Sequence, residues 1–269
     1  MMTTSRICKP AETTGNAYVR ATAAFLADYA ALLSGCGATC IRIEKNTRRM
    51  AEAFGIKADI FIMPTYVSVS VWGKDITNPS VAMRKTANCG ISFTLNAQLS
   101  RLSWEVADNH LDFATAAERF DRIRTTRPTG KWEVLILTSL ANASFCRLFG
   151  GDAMAMLIVL ISTLAGYRLK QIMLEDKRDI RLTFLCASFF SAALSAGGHI
   201  FNIGGTPEIA LGTSVLYLIP GVPYINAVSD MIYRHYLCAF SRFLDAAILT
   251  ACLSAGLCAG MLILGLKWF

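Results

Sequence analysis

The chain has 269 residues and a net charge of +7, and it is 54% apolar but only 17% charged. A soluble domain holds about a quarter charged residues, so a wholly soluble protein is excluded. Most of the charge lies before about Gly130, and the composition reads as a membrane protein with a soluble N-terminal domain. The positive charge does not signal nucleic acid, because basic residues gather at the ends of apolar segments, where membrane topology explains them.

Residues 1–15 read as a disordered polar tail. They contain no apolar stretch of the kind a cleavable signal needs, so the N-terminus is expected in the cytoplasm. Residues 16–129 read as a small α+β cytoplasmic domain. One helix runs from near Ala17 to Ser34, and Gly35 and Gly37 break it. A second begins near Ala38 or Thr39 and ends at Gly55. The stretch from Ala58 to Trp72 is β-branched and aromatic and predicts two short strands, with Pro64 near a strand end. Gly73-Lys74-Asp75 reads as a turn and Ser80–Arg84 as a third strand. Leu95–Asn109 and Thr115–Arg124 read as helices. Arg42, Glu44, Asp59, Ser68, Ser70, Arg84 and His110 form no nucleophile elbow, phosphate loop or metal motif, so they read mostly as a solvated surface and the chain as a non-enzyme. The nine cysteines include no CxxC pair, the three histidines are far apart, and neither a metal nor a cofactor is expected.

Residues 130–269 read as the membrane domain. A spanning helix needs about 20 mostly apolar residues. Five are predicted: Trp132–Phe149, Ala153–Leu169, Leu182–Asn202, Pro207–Ala227 and Leu244–Leu266. Arg122 to Lys131, Arg168 to Arg181 and Ser229 to Arg242 are basic, whereas the connections at 149–152 and 203–208 are not. This alternation predicts a cytoplasmic N-terminus and a C-terminus outside, with Lys267 as an exception. Gly256 and Gly260 on the last helix and Ser188, Ser191, Ala192, Ser195 and Ala196 on the third predict close helix packing, within the chain or against a partner. Asn142 and Ser144 lie at membrane depth in the first helix. Arg147, His199 and Asn202 read as interfacial. Asn142 is balanced between a helix–helix hydrogen bond and a substrate contact.

The fourth span is interrupted by Leu218-Ile219-Pro220-Gly221-Val222-Pro223. Proline removes a backbone donor and clashes with the preceding turn, and glycine weakens the helix further. In hydrocarbon such a break is tolerated only where the freed backbone faces protein or a polar cavity. Asn226 and Asp230 follow on one face. Pro223 suits the first turn of a new half-helix, whose free N–H groups around Tyr224 to Asn226 could hold a carboxylate, with Asn226 adding a hydrogen bond. Pro220, Gly221, Pro223, Asn226, Asn142 and Ser144 are therefore the candidate substrate-binding residues. Asp230 is read as a coupling or gating residue: it could bind an ammonium group, carry a proton, or pair with Arg234 at the cytoplasmic surface. The break lies roughly 20 Å along the helix, in the inner half of the bilayer.

Three groups of residues carry a family resemblance: Gly37-Ala38 with Arg42; Ala143-Ser144-Phe145-Cys146 with Gly150-Gly151 and Asp152; and Pro220-Gly221-Val222-Pro223 with Asn226 and Asp230. With the order of soluble domain, five apolar segments and a C-terminus bearing Trp268, the chain resembles the threonine/serine exporter family. Within it the chain is most similar to the large subunit of the split two-component type, as in enteric succinate export. The resemblance implies a secondary transporter subunit that exports small carboxylated metabolites, either a dicarboxylate such as succinate or threonine and serine. It also implies a small five-span partner subunit, the two halves lying in inverted orientation. The alternatives are a membrane-anchored hydrolase using the N-terminal domain, and a regulatory subunit of a partner transporter.

Overall fold

The computed structural model describes residues 15–72, 79–86, 89–126, 129–201 and 203–263, and of residues 15, 16 and 199 the backbone alone. The expected tail before residue 15, the turn at 73–75, Asn202, the His199 side chain and Lys267 and Trp268 lie outside these. The described chain is mostly helical with one small sheet. It begins with α1 (Gly15–Gly35) and α2 (Cys40–Ala53), then β1 (Lys57–Ile62), β2 (Tyr66–Trp72) and β3 (Ser80–Lys85), then α3 (Phe93–Asp108) and α4 (Phe113–Arg124). There follow α5 (Lys131–Leu148), α6 (Ala153–Glu175), α7 (Ile180–Ile200) and α8 (Pro207–Thr213). A 3₁₀ turn (Leu216–Leu218), α9 (Gly221–Ile232) and α10 (Tyr236–Ile263) complete it.

Two compact units emerge. The first comprises Met1–Arg127 with Val222–Phe243, the second Pro128–Gly221 with Leu244–Phe269.

In the first unit the three strands form an antiparallel sheet in the order β1-β2-β3, with Val69 opposite Ile60 and Ala82. The alternation of β2 sets its faces: Val67, Val69 and Val71 are fully buried while Ser68 and Ser70 are half-buried. Each buried valine adds about 1.5–3 kcal/mol relative to an exposed one. The core over which α1, α3 and α4 pack is aromatic. Phe25 meets Phe54, Phe113 and Phe120 edge to face, with ring centres 5.4–6.2 Å apart, and Tyr29 donates from its hydroxyl to the Leu99 carbonyl at 2.9 Å. Ser92 and Asp112 cap α3 and α4 with their side chains, as short polar residues do at helix starts.

In the second unit α5, α6, α7 and α8 pack around small residues. A Cβ at Gly256 would collide with Ser188 Oγ and the Leu185 carbonyl, and one at Gly260 would lie 2.9 Å from Ala192 Cβ. The small faces of α7 and α10 therefore serve packing within the chain. Among the described residues three helices are long and apolar enough to cross a bilayer: α6, Ile180–Gly198 of α7, and α10. Pro207–Leu218 and Gly221–Ile232 pass the same test together as one interrupted span. The expected count of five thus becomes three, or four with the interrupted pair. The difference is α5, whose 18 residues include Lys131, Glu133 and Arg147. The last span also differs, since α10 starts at Tyr236 rather than Leu244.

Candidate functional site

The second unit holds a cavity of about 310 Å³ lined by Thr138, Ala141, Asn142, Phe145 and Phe149 of the α5 segment, and by Leu216, Tyr217 and Ile219 just ahead of the break. Asn142 is buried. Its Nδ2 donates to Thr163 Oγ1 at 2.7 Å and to the Thr213 carbonyl at 3.1 Å. Because a carbonyl can only accept, this fixes the amide orientation. The polar atom left over is Oδ1, an acceptor. Asn142 thus makes the helix–helix hydrogen bond and also lines the cavity.

Tyr217 is placed by close packing. Its hydroxyl shares a 2.9 Å hydrogen bond with Ser191 Oγ on α7, and its ring lies 5.8 Å from that of Tyr167 on α6. Both hydroxyls lie where a Cβ of Gly166 would stand, so only glycine lets the three helices approach here. Tyr217, Thr163 and Ser191 drew no attention as site residues in the sequence. The sequence signal was the i, i+3 spacing of Thr163 and Gly166 on one face of α6.

Ser144 is exposed and bonds back to the Leu140 carbonyl at 2.9 Å, so the structure places it apart from the cavity. Pro220 is buried and follows Ile219 directly. Gly221 opens α9, and Pro223 sits in its first turn, as expected.

Asp152, beside the same α5–α6 connection, is a second polar knot of this unit. Its carboxylate accepts from Ala155 N at 2.7 Å, capping α6, and from Gly205 N at 2.6 Å. Thr206 Oγ1 bonds both its backbone N–H and its carboxylate. The Gly205 and Ala155 N–H groups hold the Asp152 carboxyl below the usual carboxylate range.

In the first unit Asn226 and Asp230 do share one face of α9, and that face clasps the loop between α1 and α2. Thr39, the N-cap of α2, makes no side-chain capping bond. Asp230 supplies it instead: fully buried, it accepts from Cys40 N at 2.8 Å and from Cys40 Sγ at 3.3 Å. An anionic cap suits the positive end of the helix dipole. Arg242 completes the cluster, with Nη1 2.8 Å from Asp230 Oδ2 and Nη2 donating to the Ala38 carbonyl at 2.8 Å. Asn226 Nδ2 donates to the Gly37 carbonyl at 2.8 Å. Gly37 has φ +87°, a conformation that favours glycine. The Cys40 thiol is pushed far up by its hydrogen bond with Cys238 and by burial, so it stays a donor.

The pairing of Asp230 with Arg234 is corrected by this geometry. Arg234 lies in the turn between α9 and α10 at φ +65°, exposed, and Asp230 turns inward to Arg242. Arg242, which reads in the sequence as a topology charge, is the cation that matters. Nearby, His235 Nε2 lies 3.6 Å from Glu44 Oε2.

Residues 24–264 match the family described as "Putative threonine/serine exporter". The chain is 27% identical over 235 residues to the "Probable succinate transporter subunit YjjP" of Klebsiella aerogenes, covering 86% of this chain and 89% of that one. It is 25% identical over 237 residues to the protein of the same name from Escherichia coli K12, covering 86% and 90%. No solved structure gives a significant match. With a cavity beside an interrupted apolar helix and a family match over nearly its whole length, the chain belongs to the threonine/serine exporter family of transporters.

Proposed function

We propose that the chain is one subunit of a secondary transporter that exports small carboxylated metabolites across the cytoplasmic membrane of a bacterium. The substrate is a dicarboxylate such as succinate or a hydroxy amino acid such as threonine or serine. The observation that carries the reading is the cavity at Asn142, Tyr217 and Ile219, directly ahead of Pro220 and Gly221. Its volume is at the low end of the roughly 300–1,000 Å³ of small-ligand sites. The relatives' names, which call each a succinate transporter subunit, support it.

Asn142 offers an acceptor, which suits a hydroxyl, an ammonium or a protonated carboxyl and repels a bare carboxylate. Pro220, Gly221 and Pro223 shape the break. Ser144 is kept as a contact toward the partner side of the site. Asn226 and Asp230 act as a clasp that opens during the cycle. Asp230 carries the coupling proton when it parts from Arg242.

A fifth span is supplied by α5, whose charged residues lie near its ends and whose middle, Leu135 to Cys146, is uncharged. Charged side chains at helix ends reach the interface by snorkelling. Residues 16–129 form the cytoplasmic domain, and the membrane domain of residues 130–269 places the C-terminus outside. A small five-span subunit supplies the facing wall.

The test is uptake of labelled succinate, threonine and serine into inverted vesicles containing both subunits, with the proton gradient intact or collapsed. Gradient-dependent uptake of one of these acids is expected, reduced at least tenfold by Asn142→Leu. Equal uptake by vesicles lacking this chain would sink the reading.

A further inference from the structure

The face of α6 that holds the cavity residues Asn142 and Tyr217 from behind carries one more group. Thr163, Gly166, Tyr167 and Lys170 follow at i, i+3, i+4 and i+7, the spacing of a single helical stripe. Thr163 holds Asn142, Gly166 admits Tyr217 and Ser191, and Tyr167 lies against Tyr217. Lys170 ends the stripe, seven residues and about 10 Å along the axis from Thr163. Its Nζ lies 5.3 Å from the centre of the Tyr167 ring and 4.9 Å from that of Phe184 on α7.

The cations around it have partners. Lys131 Nζ is 3.0 Å from Glu175 Oε1, and Arg168 reaches Glu175 and Gln171 and lies over the Trp132 ring. Arg147 donates to the Gly151 carbonyl. Lys170 is half-buried and, among the described residues, has neither a carboxylate nor a hydrogen-bond acceptor, only ring faces. An ammonium taken from water onto aromatic rings keeps most of its demand for an anion.

We propose that Lys170, between Tyr167 and Phe184, is a carboxylate-binding subsite that receives the exported acid before it passes the Tyr167–Tyr217 wall to the cavity. It rests on the export reading above. It also supplies what the cavity lacks, since Asn142 gives only an acceptor and the cavity's other wall residues carry no cation. The subsite recognises the carboxylate, and Asn142 discriminates the rest of the molecule. A lipid phosphate could satisfy the same ammonium; the half-burial of Lys170 on the stripe that contacts Asn142 and Tyr217 favours the small acid.

Two measurements on vesicles containing the full chain and its partner test this. In the first, succinate and threonine uptake is compared for wild type, Lys170→Gln and Lys170→Arg. The expected result is a KM raised at least tenfold in Lys170→Gln with the maximal rate within about twofold, and largely restored in Lys170→Arg. An unchanged KM in Lys170→Gln overturns the subsite. In the second, acylation of Lys170 by an amine reagent is followed by mass spectrometry. Protection by succinate or threonine is expected in neutral-lipid vesicles. Protection by added anionic lipid alone, or by nothing, overturns the subsite whether or not transport is seen. Protection by an acid that wild-type vesicles do not move overturns the export reading and leaves the subsite standing.

Discussion

At the scale of single residues, Asp230 governs the first unit. It is fully buried, caps α2 and faces Arg242. Removing one member of a buried pair leaves an uncompensated charge and costs about 3–5 kcal/mol. Asp230→Leu is therefore expected to lower the melting temperature of the full chain in detergent markedly, and adding Arg242→Met should give back most of the loss. If the double variant melts as low as the single one, the pair is not the source. The Asn226–Asp230 spacing was plain in the sequence, and so was the shared face. Their partners were not, because Cys40 and Gly37 lie about 190 residues away and Thr39 looks like a sufficient cap by itself. Tyr217 escaped notice for a related reason: its position is set by the absence of a side chain at Gly166 on another helix.

At the scale of elements, each of the seven N-terminal helices and strands falls within about two residues of its expected place, because glycine stops and period-two alternation are local signals. The membrane helices were legible in order, but the expected five stand at three, or four with the interrupted pair, and their ends were not legible. Apolar runs fix a centre, while α10 extends eight residues back through Arg242 because that arginine has a carboxylate to meet. Asp152 shows how two connections are joined by one group. Its carboxyl is held below its ordinary range in the folded chain, so its contribution is fully present above the unfolded value of about 3.9 and is lost as pH falls through the lower folded value. Melting of wild type and Asp152→Asn from pH 3 to 7 should differ most at neutral pH and converge at the acid end. A difference constant with pH would refute the assignment.

At the scale of the whole molecule, the first unit is not a segment of sequence. It is completed by Val222–Phe243, which bring Asn226, Asp230, Cys238 and Arg242. A fragment of residues 1–129 would lack the cap of α2 and the acceptor-bound donors at Gly37 and Ala38. It is expected to melt below the same fragment carrying residues 222–243 on a flexible linker, by circular dichroism. Equal melting would show that the hairpin adds nothing. The boundary at residue 129 was drawn from composition, which sees charge density along the chain and not contacts between distant parts of it.

That discontinuity sets a clock on synthesis. When Arg127 leaves the ribosome the unit still lacks its last piece, which begins 95 residues later (127 to 222). At about 5–20 residues per second this is a wait on the order of 5–20 s. Over that interval the α1–α2 loop has open carbonyls and α2 an uncapped start, while the intervening helices enter the bilayer. The N-terminal unit is therefore completed only after α5, α6, α7 and α8 have been made.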